Sequence, residues 1–160
     1  MDGLNSDRLV VIVGGSGFVG RYLVQELAHT GVRMRIVTRA PDRAMFLKPL
    51  GALGQIQIVP GDVRSAAQMA AAFDKADAGV NLVGILDERG GQKFSAVQAD
   101  GAAKVAQAAA AAGVAAFVHV SAIGAGGSAA YARTKGLGET AVRAALPSAT
   151  IVRPSIIFGP

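Results

Sequence analysis

The chain has 160 residues, 51% hydrophobic and 17% charged, with a mean hydropathy of +0.40; that is the length of one domain, apolar enough to bury a core and too apolar to be disordered. The lack of cysteine excludes a disulfide framework and a thiolate metal site, and is compatible with a reducing compartment. The net charge of +5 comes from singly scattered Lys and Arg, without a basic run or interleaved aromatics, so it points to an anionic cofactor or an acidic protein surface and not to nucleic acid.

Met1 to Arg8 carries two aspartates and no apolar stretch, so it does not read as a secretory leader. No apolar run reaches the length of a membrane span, because Lys104 and Gln107 interrupt the alanine-rich stretch and Gly113 follows it. Leu9-Val10-Val11-Ile12-Val13 has no polar alternation, the pattern of a strand buried on both faces and central in a parallel sheet. Gly14, Gly17 and Gly20 follow it, and an apolar helix pattern begins at Phe18. A G-x-x-G-x-x-G turn between a strand and a helix is the context of a dinucleotide fingerprint. Gly14 allows the tight turn, Gly17 leaves the backbone open to a pyrophosphate, and Gly20 lets helix and strand pack closely. The helix N-terminus then offers bare N–H groups and a positive dipole end to the phosphates.

That helix stops near Thr30-Gly31, and Val32 to Thr38 forms a second strand. Thr38 and Arg39 stand at its end, where an acid would bind the ribose of NAD. A cation beside a hydroxyl suits a 2′-phosphate instead, which favours NADP(H) over NAD(H); the alternative is that Asp42 does the acid's work. Pro41 to Leu50 reads as a short helix and Ile56 to Val59 as a third strand, followed by Gly61-Asp62-Val63. Asp62 is placed either to accept a hydrogen bond from an adenine amino group or to cap the helix from Ser65 to Phe73, for which Ser65 is an equal candidate.

Ala78 to Leu86 is the fourth strand, with Gly84 open to an adenosine ribose, and Asp87 to Gln92 is a loop. An alanine-rich helix over about Phe94 to Ala112 suits close packing on the sheet or on a second copy of the chain. Ala116 to Ser121 is strand five, Gly124 to Gly127 a loop, Ser128 to Leu146 a helix and Ala149 to Arg153 strand six. His119, inside strand five, and His29 have no acidic partner in pattern and read as structural. Alternating strands and helices predict an α/β fold: a Rossmann-type doubly wound parallel sheet with helices on both faces, in the order 3-2-1-4-5-6.

Tyr131 and Lys135 lie four residues apart, on one helix face. The ammonium favours tyrosinate, and such a phenol exchanges a proton with a hydroxyl while a nicotinamide moves hydride. These residues, with Asn81-Leu82-Val83-Gly84, Val118-His119-Val120-Ser121 and Arg153-Pro154-Ser155-Ile156-Ile157-Phe158-Gly159-Pro160, resemble the extended and atypical branch of the short-chain dehydrogenase/reductase superfamily. Gly54-Gln55, Phe117 to Ser121 and Tyr131-x-x-x-Lys135-Gly136-x-Gly138-Glu139 are similar, more narrowly, to the nucleotide-binding accessory subunits of respiratory complex I and their bacterial relatives.

The resemblance implies an NADP(H) site. Gly14, Gly17, Phe18, Val19 and Gly20 would serve the pyrophosphate, and Thr38 and Arg39 the 2′-phosphate. Asp62 and Val63 would hold the adenine, Val83 and Gly84 would lie beside the ribose, Lys135 would take the nicotinamide ribose, and Pro154 to Ile156 the ring's edge. Ser121, Tyr131 and Lys135 match the catalytic set of active members, although Ser121 and Tyr131 are closer in sequence than is usual, which leaves Ser128 as an alternative hydroxyl. The chain reads as a single NAD(P)-binding domain over 1–160, ending where extended members continue into a substrate domain. Implied partners are the cofactor, complex I subunits and a second copy through the long helices. The implied place is the cytoplasm, peripheral at the inner face of a respiratory membrane. Two roles follow: a nucleotide held for structure or regulation, or an NAD(P)H-dependent oxidoreductase or epimerase working through Tyr131 and Lys135.

Overall fold

A computed structural model of the chain describes residues 7–160; for residues 1–6 the expectation about a leader lies outside the described residues. Strands β1 (Leu9–Val13), β2 (Arg33–Thr38), β3 (Ile56–Pro60), β4 (Ala78–Asn81), β5 (Ala116–Val120) and β6 (Thr150–Val152) form one sheet in the order β3-β2-β1-β4-β5-β6. Every pair is parallel. Helices α1 (Phe18–Ala28), α2 (Ala66–Phe73), α3 (Asp100–Ala111) and α4 (Ala130–Ala145) make crossovers between them. This is the doubly wound α/β sheet that the alternating pattern predicts. Chain direction across the sheet reverses between β1 and β4, so their carboxyl ends open the crevice where such sheets take ligands.

All five residues of β1 are buried, and the pleat divides them between two cores. Val11 and Val13 join Met69 and Phe73 of α2, Val105 and Ala106 of α3 and Val142 of α4. Val10 and Ile12 join Val24 of α1 and Leu47 on the other face. Burial on both faces gives β1 its unbroken apolar run, and each such side chain contributes about 1.5–3 kcal/mol by leaving water.

Four elements differ from expectation. Strand four ends at Asn81 and not at Leu86. Asn81 turns the chain there: its Oδ1 accepts from the Val83 amide at 3.1 Å, replacing a ladder bond, so residues beyond Leu82 leave the sheet and face the crevice. Pro41–Leu50 is a 3₁₀ helix, with Pro49 inside it and the buried Ala44 and Leu47 three residues apart, the repeat of that helix. The helix expected from Phe94 opens as a π-turn over Ser95–Ala99 before α3 begins. There the buried Gln98 side chain donates to Thr134 Oγ1 of α4 at 3.1 Å, and Gly138 of α4 lies so close to the Gln98 carbonyl that no side chain fits between them. The last helix also begins at Ala130, two residues after Ser128.

Candidate functional site

The site is built on the turn between β1 and α1. Gly14 has φ +82°, the left-handed region that favours glycine, and a Cβ there would lie 3.0 Å from Val83 Cγ2. The Gly14 amide donates to Val37 at 3.0 Å and the Gly17 amide to the Gly14 carbonyl at 3.1 Å, which closes the turn. Gly17 is the N-cap of α1; no side chain caps this helix and no acid lies in its first turn. Helix geometry leaves the first-turn amides without intrahelical partners. An uncapped, acid-free N-terminus is a fitting seat for a diphosphate.

Two cavities flank this turn and share Gly14, Gly17, Leu82, Gly84 and Ile85. The first, of about 250 Å³, runs under Thr38, Arg39, Asp62, Val63 and Val83. The second, of about 360 Å³, is lined by Phe18, Val19, Gly20, Tyr131 and Ile157. Residues scattered from 13 to 157 in sequence thus meet along one crevice. Lys135 reaches the crevice from behind: its Nζ is 3.0 Å from where a Gly84 Cβ would stand. Ser121, Lys135, Pro154 and Ile156 line neither cavity. Ile156 is 86% exposed while its neighbour Ile157 faces the second cavity, a difference of one residue in an irregular tail that no periodicity could have fixed.

At the first cavity, Thr38 Oγ1 accepts from Ser16 Oγ at 3.1 Å and from the Ala40 amide at 3.3 Å, which holds its hydroxyl beside Arg39. Asp42 is exposed in the 3₁₀ helix and lines neither cavity. Ser65, not Asp62, caps α2, accepting from the Gln68 amide at 3.3 Å. Asp62 is paired with Arg64 (Nη2–Oδ2 2.6 Å), and hydrogen bonding from that guanidinium holds its carboxyl below the usual range.

Beside the second cavity, the Tyr131 ring meets Phe94 edge-on, centroids 5.8 Å apart. One turn on, Lys135 is 4% exposed; its Nζ donates to the Val120 carbonyl at 3.4 Å, and burial pushes its pKa down. Glu139 follows after another turn and accepts from Arg153 Nε at 2.8 Å and Nη2 at 2.6 Å, a forked pair that pins the chain after β6 to α4. The Arg153 hydrogen bonds keep the Glu139 carboxyl ionised, with its pKa lowered. Sequence spacing alone did not couple these two residues, although the burial of a glutamate requires such a partner. The alternative hydroxyl, Ser128, is exposed and away from both cavities.

His119 and Ser121 occupy the end of β5. Because Asn81 Oδ1 accepts from Val83, its Nδ2 must donate to His119 Nδ1 (3.2 Å), which puts the ring proton on Nε2. His119 Nε2 is buried without a hydrogen-bond partner, and the buried Ser121 hydroxyl faces Glu139, whose pKa it helps to lower. Burial first, and then the Lys135 charge, lower the His119 pKa to about 4. The unfolded chain takes up this proton near pH 6.5, so between pH 6.5 and 4 it binds more protons than the folded one, and stability falls as pH falls. A loss on the order of 2–3 kcal/mol across that window is expected, read as a falling urea midpoint; the slope should flatten in His119→Gln.

Among the described residues no helix is long and apolar enough to cross a membrane, and no group of three His, Asp or Glu is placed to hold a metal ion. The family model described as NAD(P)H-binding matches residues 14–158, from the first glycine of the turn to the tail beside the second cavity. The chain belongs to the NAD(P)H-binding family. Within reach of this family, the chain is 38% identical over 154 residues to the ceramide reductase of Caulobacter vibrioides, covering 95% of this chain and 47% of that protein. It is 34% identical over 154 residues to subunit 9 of the NADH dehydrogenase [ubiquinone] 1 alpha subcomplex, mitochondrial, of Dictyostelium discoideum, covering 94% of this chain and 43% of that one. The chain therefore spans about half the length of these relatives. A solved Bacillus halodurans protein assigned as an NAD-dependent epimerase/dehydratase superimposes with a TM-score of 0.79 at 28% identity, over 92% of this chain and 70% of its own. A dTDP-glucose 4,6-dehydratase from Streptomyces venezuelae, solved with NAD bound, gives 0.73 at 25% identity over 90% and 54%. The likeness to short-chain dehydrogenase/reductase proteins and complex I subunits read from the motifs is thus found again in whole-chain comparison.

Proposed function

We propose that this chain is the NADP(H)-holding domain of a protein related to the complex I accessory subunit, in which the nucleotide has a structural or regulatory role. The observation that carries the binding is the uncapped N-terminus of α1 between two cavities that meet over Gly14 and Gly17. The adenosine half belongs in the first cavity, with Asp62 and Val63 at the adenine, Val83 and Gly84 at the ribose, and Thr38 and Arg39 at a 2′-phosphate. Among the described residues the carboxylate on this cavity is Asp62, at the end of β3 and paired with Arg64, so the end of β2 offers a hydroxyl and a cation. The nicotinamide half belongs in the second cavity, near Tyr131, Lys135 and the 154–157 tail.

When bound, a nicotinamide supplies hydride chemistry. This chain's own residues would then divide the work: Lys135 donates to the nicotinamide ribose, Tyr131 holds or releases a proton at its phenol oxygen, and Phe94 braces the Tyr131 ring. Ser121 and Lys135 are both buried and line neither cavity, but only Lys135 comes up against a crevice residue, at Gly84. That supports a held nucleotide over a turning-over one. Such a ligand, bound only by the folded chain, stabilises it by about 4 kcal/mol at a thousandfold excess over Kd. Association with respiratory complex I is supported by the relatives that are mitochondrial NADH dehydrogenase subunits, and a peripheral place at the inner face of a respiratory membrane and a homodimer through α3 and α4 belong to the same proposal. The second reading, an NAD(P)H-dependent oxidoreductase or epimerase, is favoured by Tyr131 standing on the cavity wall and by the name of the Caulobacter relative.

Denaturing the purified protein and identifying any released nucleotide separates the two. Retained NADPH that no added carbonyl compound oxidises supports the held nucleotide. An empty site with rapid NADPH consumption supports the enzyme and ends the structural reading.

A further inference from the structure

One side chain bridges two chain segments at the rim of the first cavity. Arg64 lies in the loop between β3 and α2, and it closes on Asp62 from three donors. Its Nε donates to the two carboxylate oxygens at 3.0 and 3.1 Å, its Nη2 to Oδ2 at 2.6 Å and its own amide to Oδ1 at 2.9 Å. These contacts take up much of the acceptor capacity of the carboxylate. The remaining Nη1 crosses to the loop after β4 and donates to the Gly91 carbonyl at 3.0 Å. A Cβ at Gly91 would stand 2.7 Å from that nitrogen, so the loop is drawn tightly onto the guanidinium.

The loop that it holds has a defined shape. Arg89 and Gln92 exchange backbone hydrogen bonds at 3.2 and 2.9 Å, and the Phe94 amide donates to Glu88 Oε1 at 2.7 Å. Gln92, next to the captured carbonyl, lines the first cavity together with Asp62 and Val63. A planar guanidinium can grip a carboxylate with a fork while a third donor, held in a fixed direction, serves a carbonyl; a lysine ammonium lacks that fork and that fixed geometry.

We propose that Arg64 is a strap across the adenosine cavity: anchored on Asp62, it ties the 87–92 loop to the β3–α2 loop and slows the escape of the adenosine half of a bound dinucleotide. Arg64 is a positioning residue, and Asp62 serves the site first as its anchor. The inference rests on the proposed nucleotide reading.

The test is the release rate of NADPH or NADH, whichever the wild-type chain binds more tightly, and the Kd of ADP, which carries only the adenosine half. Arg64→Gln should release the dinucleotide about tenfold faster and weaken ADP by about the same factor, with the ligand-free melting temperature little changed because Arg64 is an exposed loop residue. Arg64→Lys should not restore slow release. Arg89→Gln, which removes an exposed pair with Asp87 in the same loop, should leave both readouts at wild-type values. Wild-type release from Arg64→Gln, or a loss seen with the dinucleotide and not with ADP, overturns the strap. A wild-type chain that binds neither dinucleotide is a different result, which removes the nucleotide reading and the strap with it.

Discussion

Gly20→Ala is expected to weaken dinucleotide binding on the order of a hundredfold while costing the fold about 1–3 kcal/mol. A Cβ at Gly20 would stand 2.5 Å from the Gly15 carbonyl carbon and 2.5 Å from the Gly15 Cα. These neighbours are backbone, so no rotamer change relieves the clash. The first turn of α1 must tilt away from the end of β1, and its amides then no longer converge on the place where a diphosphate would lie. Gly31→Ala is the matched control. Gly31 has φ +78° with open space around it, so alanine there strains the backbone without touching the crevice. It should lower stability and leave affinity intact. Equal affinity loss in the two variants would show that Gly20 acts through stability alone.

Arg39→Ala is expected to weaken NADPH by roughly 10- to 100-fold, the worth of a charge-assisted contact to phosphate, and to leave NADH nearly unchanged. The reasoning is one of position. Arg39 and Thr38 line the first cavity at the end of β2, and the Thr38 hydroxyl is held by Ser16 and the Ala40 amide. Asp42, the acid that could have served an NAD ribose instead, is exposed and off the cavity, so Asp42→Ala should change neither affinity. Paired titrations of both nucleotides against both variants decide the matter. A fall in NADH affinity with Asp42→Ala, or equal losses of both nucleotides with Arg39→Ala, would reverse the preference.

The fold was legible because its strongest signals are local. An unbroken β-branched run followed by three spaced glycines fixes a buried strand, a tight turn and a close-packed helix within twelve residues. Alternating elements then leave few topologies for a right-handed parallel sheet. What escaped was decided by side chains acting on the backbone. Leu82-Val83 has good strand propensity, yet Asn81 captures the Val83 amide and ends β4. Gln98 and Gly138 open a π-turn in a stretch whose alanines favour regular helix. Within the crevice, the spacing of Gly14 and Gly17 suffices to put them on the two cavities, whereas the burial of Ser121 and the exposure of Ile156 beside the cavity-lining Ile157 depend on how β5 and the tail are tilted. Arg64 follows Asp62 by two residues in a loop, where charge order in the sequence carries no geometry.

Dinucleotide binding by this fold requires that the bare amides at the start of α1 receive a diphosphate. Titrating the ¹⁵N-labelled chain with NADPH and following its amide resonances tests this most directly. Gly15 to Gly20 should shift first and furthest, with Arg39 and Gly84 moving at the same ligand concentrations. Resonances of the glycine turn that stay in place while NADPH is added to saturation, or that move only as much as those of the distant Gly113 loop, would contradict it.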